Sequence, residues 1–359
     1  MAMYFEDLKV GEVYLTRGRT ITEADIMLYA GLCWDTQVEH TNAEFARRGP
    51  FGERIAQQQL GLLVAHGLLD SLRLTEKTLI SVMRLSWNFI NPIRIGDTLH
   101  LKVKILNKRE LDSGDQGLVT LELETINQHA ELVNRIQRTI AVAGYPVLRE
   151  AQKTLSYVFR GLSELENTAS RTSERVAEAT TQLAGKVKRL NRGKYFEEFE
   201  IGEELITQAR TVAELDSLNY TLLSWDTDPL HTDSVYGEAT SFGGLLAPLL
   251  MPIIFANGLG ATLGFLAGTN RGALGDWWEF VRPVRVGDTL YFRQVIIEKR
   301  DAKDSATGIV TFRMEMINQD GEVVSWGERS ALVARLPEVE DEVVPWNFVF
   351  GTPEGLARG

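Results

Sequence analysis

Trp34-Asp35-Thr36-Gln37-Val38-Glu39-His40-Thr41 and Trp225-Asp226-Thr227-Asp228-Pro229-Leu230-His231-Thr232 are two versions of one pattern, 191 residues apart. The register holds outward from them without a gap. Tyr4-Phe5-Glu6 matches Tyr195-Phe196-Glu197, Phe51-Gly52 matches Phe242-Gly243, and Gly67 matches Gly258. Further on, Gly96-Asp97-Thr98-Leu99 matches Gly287-Asp288-Thr289-Leu290, and Ile126-Asn127-Gln128 matches Ile317-Asn318-Gln319. Chance does not keep one offset through so many Trp, Gly and Asp positions. The 359-residue chain is therefore read as one domain of about 140 residues written twice.

The expected boundaries are a first repeat over 1–148, a connector over 149–193, a second repeat over 194–337 and a tail over 338–359. Structureless connections as long as this connector are uncommon, and Glu174–Leu190 has helix-forming composition, so a partly helical connector is expected. Trp346, Phe348 and Phe350 predict a tail that docks rather than hangs free.

Inside each repeat, Thr22-Glu23-Ala24-Asp25 offers a helix N-cap. Glu53–Leu69 then reads as a long apolar helix. After Pro92 the period changes to two, with Leu101, Val103 and Ile105 alternating with His100, Lys102 and Lys104. Asp112-Ser113-Gly114-Asp115 marks a hairpin before Val119, Leu121 and Leu123. Each repeat is thus expected to be α+β, an antiparallel sheet wrapped around one central helix. Pro252 implies that the second central helix starts later than the first.

The net charge of −11 argues against partners that need clustered positive charge, so neither nucleic acid nor an anionic membrane is expected. Gly244–Gly268 carries no charge and is long enough to span a bilayer. Its prolines and glycines, and the polar Gln57-Gln58-Gln59 in the matching stretch, favour a buried helix. No basic-then-apolar leader opens the sequence, and Cys33 is the single cysteine. A cytoplasmic protein without a disulfide framework is expected.

The pairs Asp35/His40 and Asp226/His231 carry the chemistry. A carboxylate beside an imidazole suits general acid–base work near neutral pH. The same pair also serves as a plain structural hydrogen bond or a loop cap in many proteins, and duplication removes coincidence without removing that option. Trp34 and Trp225 read as core residues, and Gly67 and Gly258 as small residues that let the sheet approach. His66 and Asn257, at matching positions, could line a pocket. Lys108-Arg109 and Lys299-Arg300 read as solvated strand ends or as phosphate contacts.

With these residues in view, Ser224–Asp233 followed by Phe242-Gly243-Gly244 resembles the MaoC-like dehydratases, the (R)-specific enoyl-CoA hydratases. Trp34–His40 with Phe51–Ala56, and the segments Pro92–Thr98 and Pro283–Thr289, carry the same likeness. The resemblance implies a tandem, or double, hot-dog fold. It implies Asp35 with His40 and Asp226 with His231 as the groups that hold and activate water for addition to a trans-2-enoyl-CoA. It also implies a backbone N–H at the start of the central helix, from Gln58 and Leu249, as the donor to the thioester oxygen. From their place late in the central helices, His66, Gly67, Asn257 and Gly258 are expected beside an acyl pocket, with packing as the alternative role for the glycines. No metal and no cofactor are expected beyond the CoA of the substrate, and a homo-oligomer, a dimer of double hot-dogs, is expected.

The chain departs from the family where the helix begins: the usual Ile-Ala-His-Gly is replaced by Ala56-Gln57-Gln58 in one repeat and Ala247-Pro248-Leu249 in the other. The Asn common two residues after the Asp is Gln37 in one copy and Asp228 in the other. Two other functions stay open at this point: a hot-dog thioesterase, and an acyl-CoA-binding subunit without catalysis.

Overall fold

The computed structural model describes residues 3–49, 51–111, 115–145, 193–303 and 305–336. The connector, the tail and most of the Asp112–Asp115 turn lie outside them.

In chain order the first repeat runs β1 (Val13–Leu15), β2 (Arg19–Thr20), α1 (Glu23–Cys33), α2 (Val38–Thr41), α3 (Ala43–Arg48), α4 (Gln58–Ser71), β3 (Leu79–Phe89), β4 (Thr98–Glu110), β5 (Gln116–Ile126) and β6 (Leu132–Ala143). The second runs β7 (Glu204–Ile206), β8 (Arg210–Thr211), α5 (Glu214–Ser224), α6 (Pro229–Thr232), α7 (Ser234–Ala239), α8 (Met251–Thr262), β9 (Asn270–Phe280), β10 (Thr289–Asp301), β11 (Thr307–Ile317) and β12 (Val323–Ala334). The alternating pattern in β4 lands as its period requires: Leu101, Val103 and Ile105 are fully buried while His100 and Lys104 face out. Thr22 caps α1, its Oγ1 accepting from Asp25 N at 3.3 Å.

Ten strands form one antiparallel sheet in the order β1-β4-β5-β6-β3-β9-β12-β11-β10-β7. The repeats join at its centre, where β3 pairs with β9 from Arg84↔Glu279 to Trp87↔Asp276. Trp87 and Trp278 lie buried at this seam, each 1% exposed. The central helices α4 and α8 lie against this sheet. Leu60, Leu62, Leu63, Val64, Ala65 and Leu68 of α4 are all buried, which explains a helix apolar all round without a membrane. Among the described residues no helix is long and apolar enough to cross a bilayer. The result is a double hot-dog, α+β fold.

Helix α4 begins at Gln58, not at Glu53. The preceding stretch is held extended, because Ala56 N donates to Ile93 O at 2.9 Å and Ile55 bridges Arg94. Helix α8 begins at Met251, two residues later in the repeat than α4, and Pro252 falls in its first turn, where its missing N–H breaks nothing.

Trp34 and Trp225 are not core residues; they are 37% and 43% exposed. Each terminates a helix in the left-handed region, at φ 69° and 67°. That turn, which costs a non-glycine residue about 1–2 kcal/mol, swings the following aspartate inward. Each indole is covered by an arginine of the opposite repeat: Arg210 stands 4.3 Å over Trp34, and Arg19 stands 4.6 Å over Trp225. The same arginines bind Asp216 and Asp25 at 2.7 Å and donate to Leu32 O and Leu223 O respectively, so they clamp the two repeats together.

Candidate active site

Gly67 and Gly258 decide how the site is assembled. They face not the sheet but the last turn of the opposite repeat's helix. A Cβ on Gly67 would fall 1.6 Å from Ser224 O, and one on Gly258 would fall 1.5 Å from Cys33 O. This backbone-to-helix contact sets Asp226 against α4 and Asp35 against α8. Each Asp–His pair is therefore completed by the central helix of the other repeat. His66 and Asn257, expected along an acyl pocket, stand beside these carboxylates.

In the second pair, Asp226 is 2% exposed and its Oδ1 accepts from Asp228 N at 3.1 Å. Its Oδ2 faces His231 Nε2 at 3.9 Å and His66 Nδ1 at 3.8 Å. His231 Nδ1 lies 3.0 Å from Leu246 O. A carbonyl oxygen only accepts, so Nδ1 donates to it and Nε2 is the ring nitrogen that faces Asp226.

His66 is 8% exposed, lies 3.8 Å from Asp70 Oδ2, and shares a 3.2 Å hydrogen bond between its Nδ1 and Tyr220 OH. Burial, reinforced by the charge of Arg138, holds the His66 imidazole down to about 3, so it is neutral at ordinary pH. Burial likewise pushes the Asp70 carboxyl up to about 6, against the pull of Arg138. The Asp70 side chain nevertheless keeps 39% of its surface accessible, so it crowds the site without being sealed in it.

The first pair is built differently. His40 Nδ1 lies 2.8 Å from Ile55 O, as its counterpart does. Both oxygens of Asp35, however, are held by side-chain amides. Gln37 Nε2 donates to Oδ1 at 3.0 Å and Asn257 Nδ2 donates to Oδ2 at 2.8 Å, while Gln59 Nε2 donates to Asn257 Oδ1 at 3.1 Å.

The expected oxyanion donors are not equivalent. Gln58 is the first residue of α4, but Leu249 lies in the turn before α8, where Met251 N donates to Pro248 O at 2.9 Å. Lys108 and Lys299 are structural: each donates to a backbone carbonyl of its own repeat, Leu8 O and Phe199 O, over the rings of Phe5 and Phe196.

Arg138, Tyr220 and Asp70 are site residues that motif reading misses. For Arg138 a signal exists: period two in β6 places it in phase with Ile136 and Ile140, a charge on an apolar face. A ring nitrogen of His66 and carboxylate oxygens of Asp70 and Asp226 lie within 4.8 Å of one another, a spacing that suits a metal ion, but the positive charge of Arg138 acts on the same cluster.

Residues 7–127 and 197–316 both match the family described as the MaoC like domain. The chain belongs to this family. It carries the MaoC-like domain twice, each match spanning one repeat. An (R)-specific enoyl-CoA hydratase of Rhodospirillum rubrum is 38% identical over 102 residues, covering 28% of this chain and 69% of that protein. A beta-methylmalyl-CoA dehydratase of Chloroflexus aurantiacus is 23% identical over 310 residues and covers 82% of both chains. Among solved structures, a putative MaoC domain protein dehydratase from Chloroflexus aurantiacus aligns with a TM-score of 0.75 at 18% identity, covering 94% of this chain and 98% of that one. A conserved hypothetical protein of Mycobacterium tuberculosis with a double hotdog fold aligns with a TM-score of 0.67, also at 18% identity, covering 92% and 98%. At these identities the structural likeness carries the fold, and the MaoC-like assignment rests on the sequence match.

Proposed function

We propose that this MaoC-like protein adds water reversibly to a trans-2-enoyl-CoA, and that Asp226 and His231 are its working pair. The observation that carries the reading is the 3.9 Å span between Asp226 Oδ2 and His231 Nε2. It is too long for a direct hydrogen bond and short enough for one water to touch both atoms. Nε2, with its lone pair fixed by the Leu246 contact, accepts a proton from that water as the oxygen bonds to C3 of the enoyl group. Negative charge moves to the thioester oxygen, with the backbone N–H of Leu249, in the turn before α8, as its donor, and the proton is returned to C2. Dehydration runs the same steps backward. CoA enters only as part of the substrate, and the residues named need no metal or cofactor for these steps.

The first pair is assigned the lesser role, because amide donors occupy both oxygens of Asp35. The test is loss of enoyl absorbance from crotonyl-CoA by the wild type, His231→Ala and His40→Ala, with free thiol assayed in parallel. His231→Ala is expected to lower turnover by about 10²–10⁴-fold, and His40→Ala by less than tenfold. Thiol release without hydration would establish a thioesterase instead. Full activity in His231→Ala would remove the assignment of that pair.

A further inference from the structure

Arg138 is 4% exposed, and its Nε is buried without a hydrogen-bond partner. Among the described residues no group hydrogen-bonds its guanidinium, although Asp70, Asp226, Tyr220 and His66 all feel its charge. An arginine stays ionised in proteins, so a buried Nε–H left without a partner is costly to keep.

The second repeat supplies an internal control. Arg329, at the matching position in β12, is bound by Asp276 Oδ2 at 2.8 Å from Nε and 2.6 Å from Nη2. Asp276 is the cross-strand neighbour of Arg329 in β9. The cross-strand neighbour of Arg138 in β3 is Leu85, which stands at the same repeat position as Asp276. The fold thus has a place for a carboxylate opposite this arginine. One repeat fills it from the chain and the other does not.

We propose that the Asp226–His231 site takes thioesters whose acyl group carries a second carboxylate, and that Arg138 receives that carboxylate. This rests on the hydratase reading of the same site. The planar fork of a guanidinium matches a carboxylate with two parallel hydrogen bonds. An acyl chain ending in a methyl group would leave the buried Nε–H unpaired, and a site of that kind discriminates against such a ligand. Asp70 makes no ion pair with Arg138, and burial, the largest cause, raises its carboxyl to about 6, so the preference for a second carboxylate is expected to strengthen as pH falls toward 6.

The test separates binding from chemistry. Succinyl-CoA and butyryl-CoA differ by a carboxylate in place of a methyl and cannot be hydrated. Calorimetric titration of the full chain is expected to give succinyl-CoA about 100-fold tighter binding. Arg138→Met should abolish that preference while butyryl-CoA affinity stays within a few-fold. Leu85→Asp should abolish it too, by supplying the partner that Asp276 supplies to Arg329, and it keeps the buried charge paired should Arg138→Met fail to fold. Equal binding of the two thioesters by the wild type, or a preference that survives Leu85→Asp, would overturn the assignment. Fumaryl-CoA and crotonyl-CoA then report the chemistry. Faster hydration of fumaryl-CoA, lost in both variants, extends the result to turnover. Failure of both substrates alongside an intact succinyl-CoA preference would sink the hydratase reading and leave Arg138 as the carboxylate receptor.

Discussion

Replacing His66 by asparagine should remove much of the protein's sensitivity to acid. The imidazole is held down to about 3 in the fold, first by burial and then by Arg138, against an ordinary value of 6.5. A base whose folded pKa is depressed binds protons more readily in the unfolded chain. Its stabilising contribution is therefore complete above pH 6.5 and is lost as pH falls toward 3. The loss runs at about 1.4 kcal/mol per pH unit, so near pH 4.5 it amounts to about 2–3 kcal/mol. Asn is a native solution at this position, since Asn257 occupies it in the other repeat and donates to Asp35 at 2.8 Å. Asp70 works with the opposite sign: its carboxyl is raised to about 6, so its contribution is present in acid and fades as pH rises through 6. That contribution is common to both proteins and drops out of their difference. Urea unfolding at several pH values between about 8 and 4.5 reads the result. The wild type should lose stability faster than His66→Asn below about pH 6.5. Acid limbs that superimpose would refute the reasoning.

Two further predictions follow from the same geometry. Gly67→Ala should cost about 1–3 kcal/mol or more and impair the Asp226–His231 pair, because its methyl would meet Ser224 O; Gly258→Ala should disturb the Asp35 side through Cys33 O instead, and equal loss of turnover in both variants would contradict the split between sites. Dialysis against a chelator should leave hydration rates unchanged, because Arg138 opposes a cation at His66, Asp70 and Asp226; activity lost on chelation and restored by a divalent metal would show that the cluster is a metal site.

The sequence by itself determined the duplication, the period-two strands, the buried central helices and the repeated Asp-to-His spacing. These are local facts: alternation, spacing and a fixed register are written along the chain. The late start of α8 was also legible, from Pro252 alone. The start of α4 was not, because residues before Gln58 are held extended by Ile93 and Arg94, and only the folded chain brings those alongside. Trp34 and Trp225 read as core because indoles usually are, yet an arginine of the opposite repeat covers each at the surface. The tertiary structure alone decided which groups share a site. Joining β3 to β9 and seating Gly67 on Ser224 places His66, Asp70 and Arg138 of one repeat around Asp226 of the other. It also decided that two near-identical pairs differ, since amides hold Asp35 while Asp226 keeps an oxygen facing His231. Partners contributed by opposite repeats leave no spacing to read in one sequence. Their meeting is a property of the sheet and the helix contact, not of any segment.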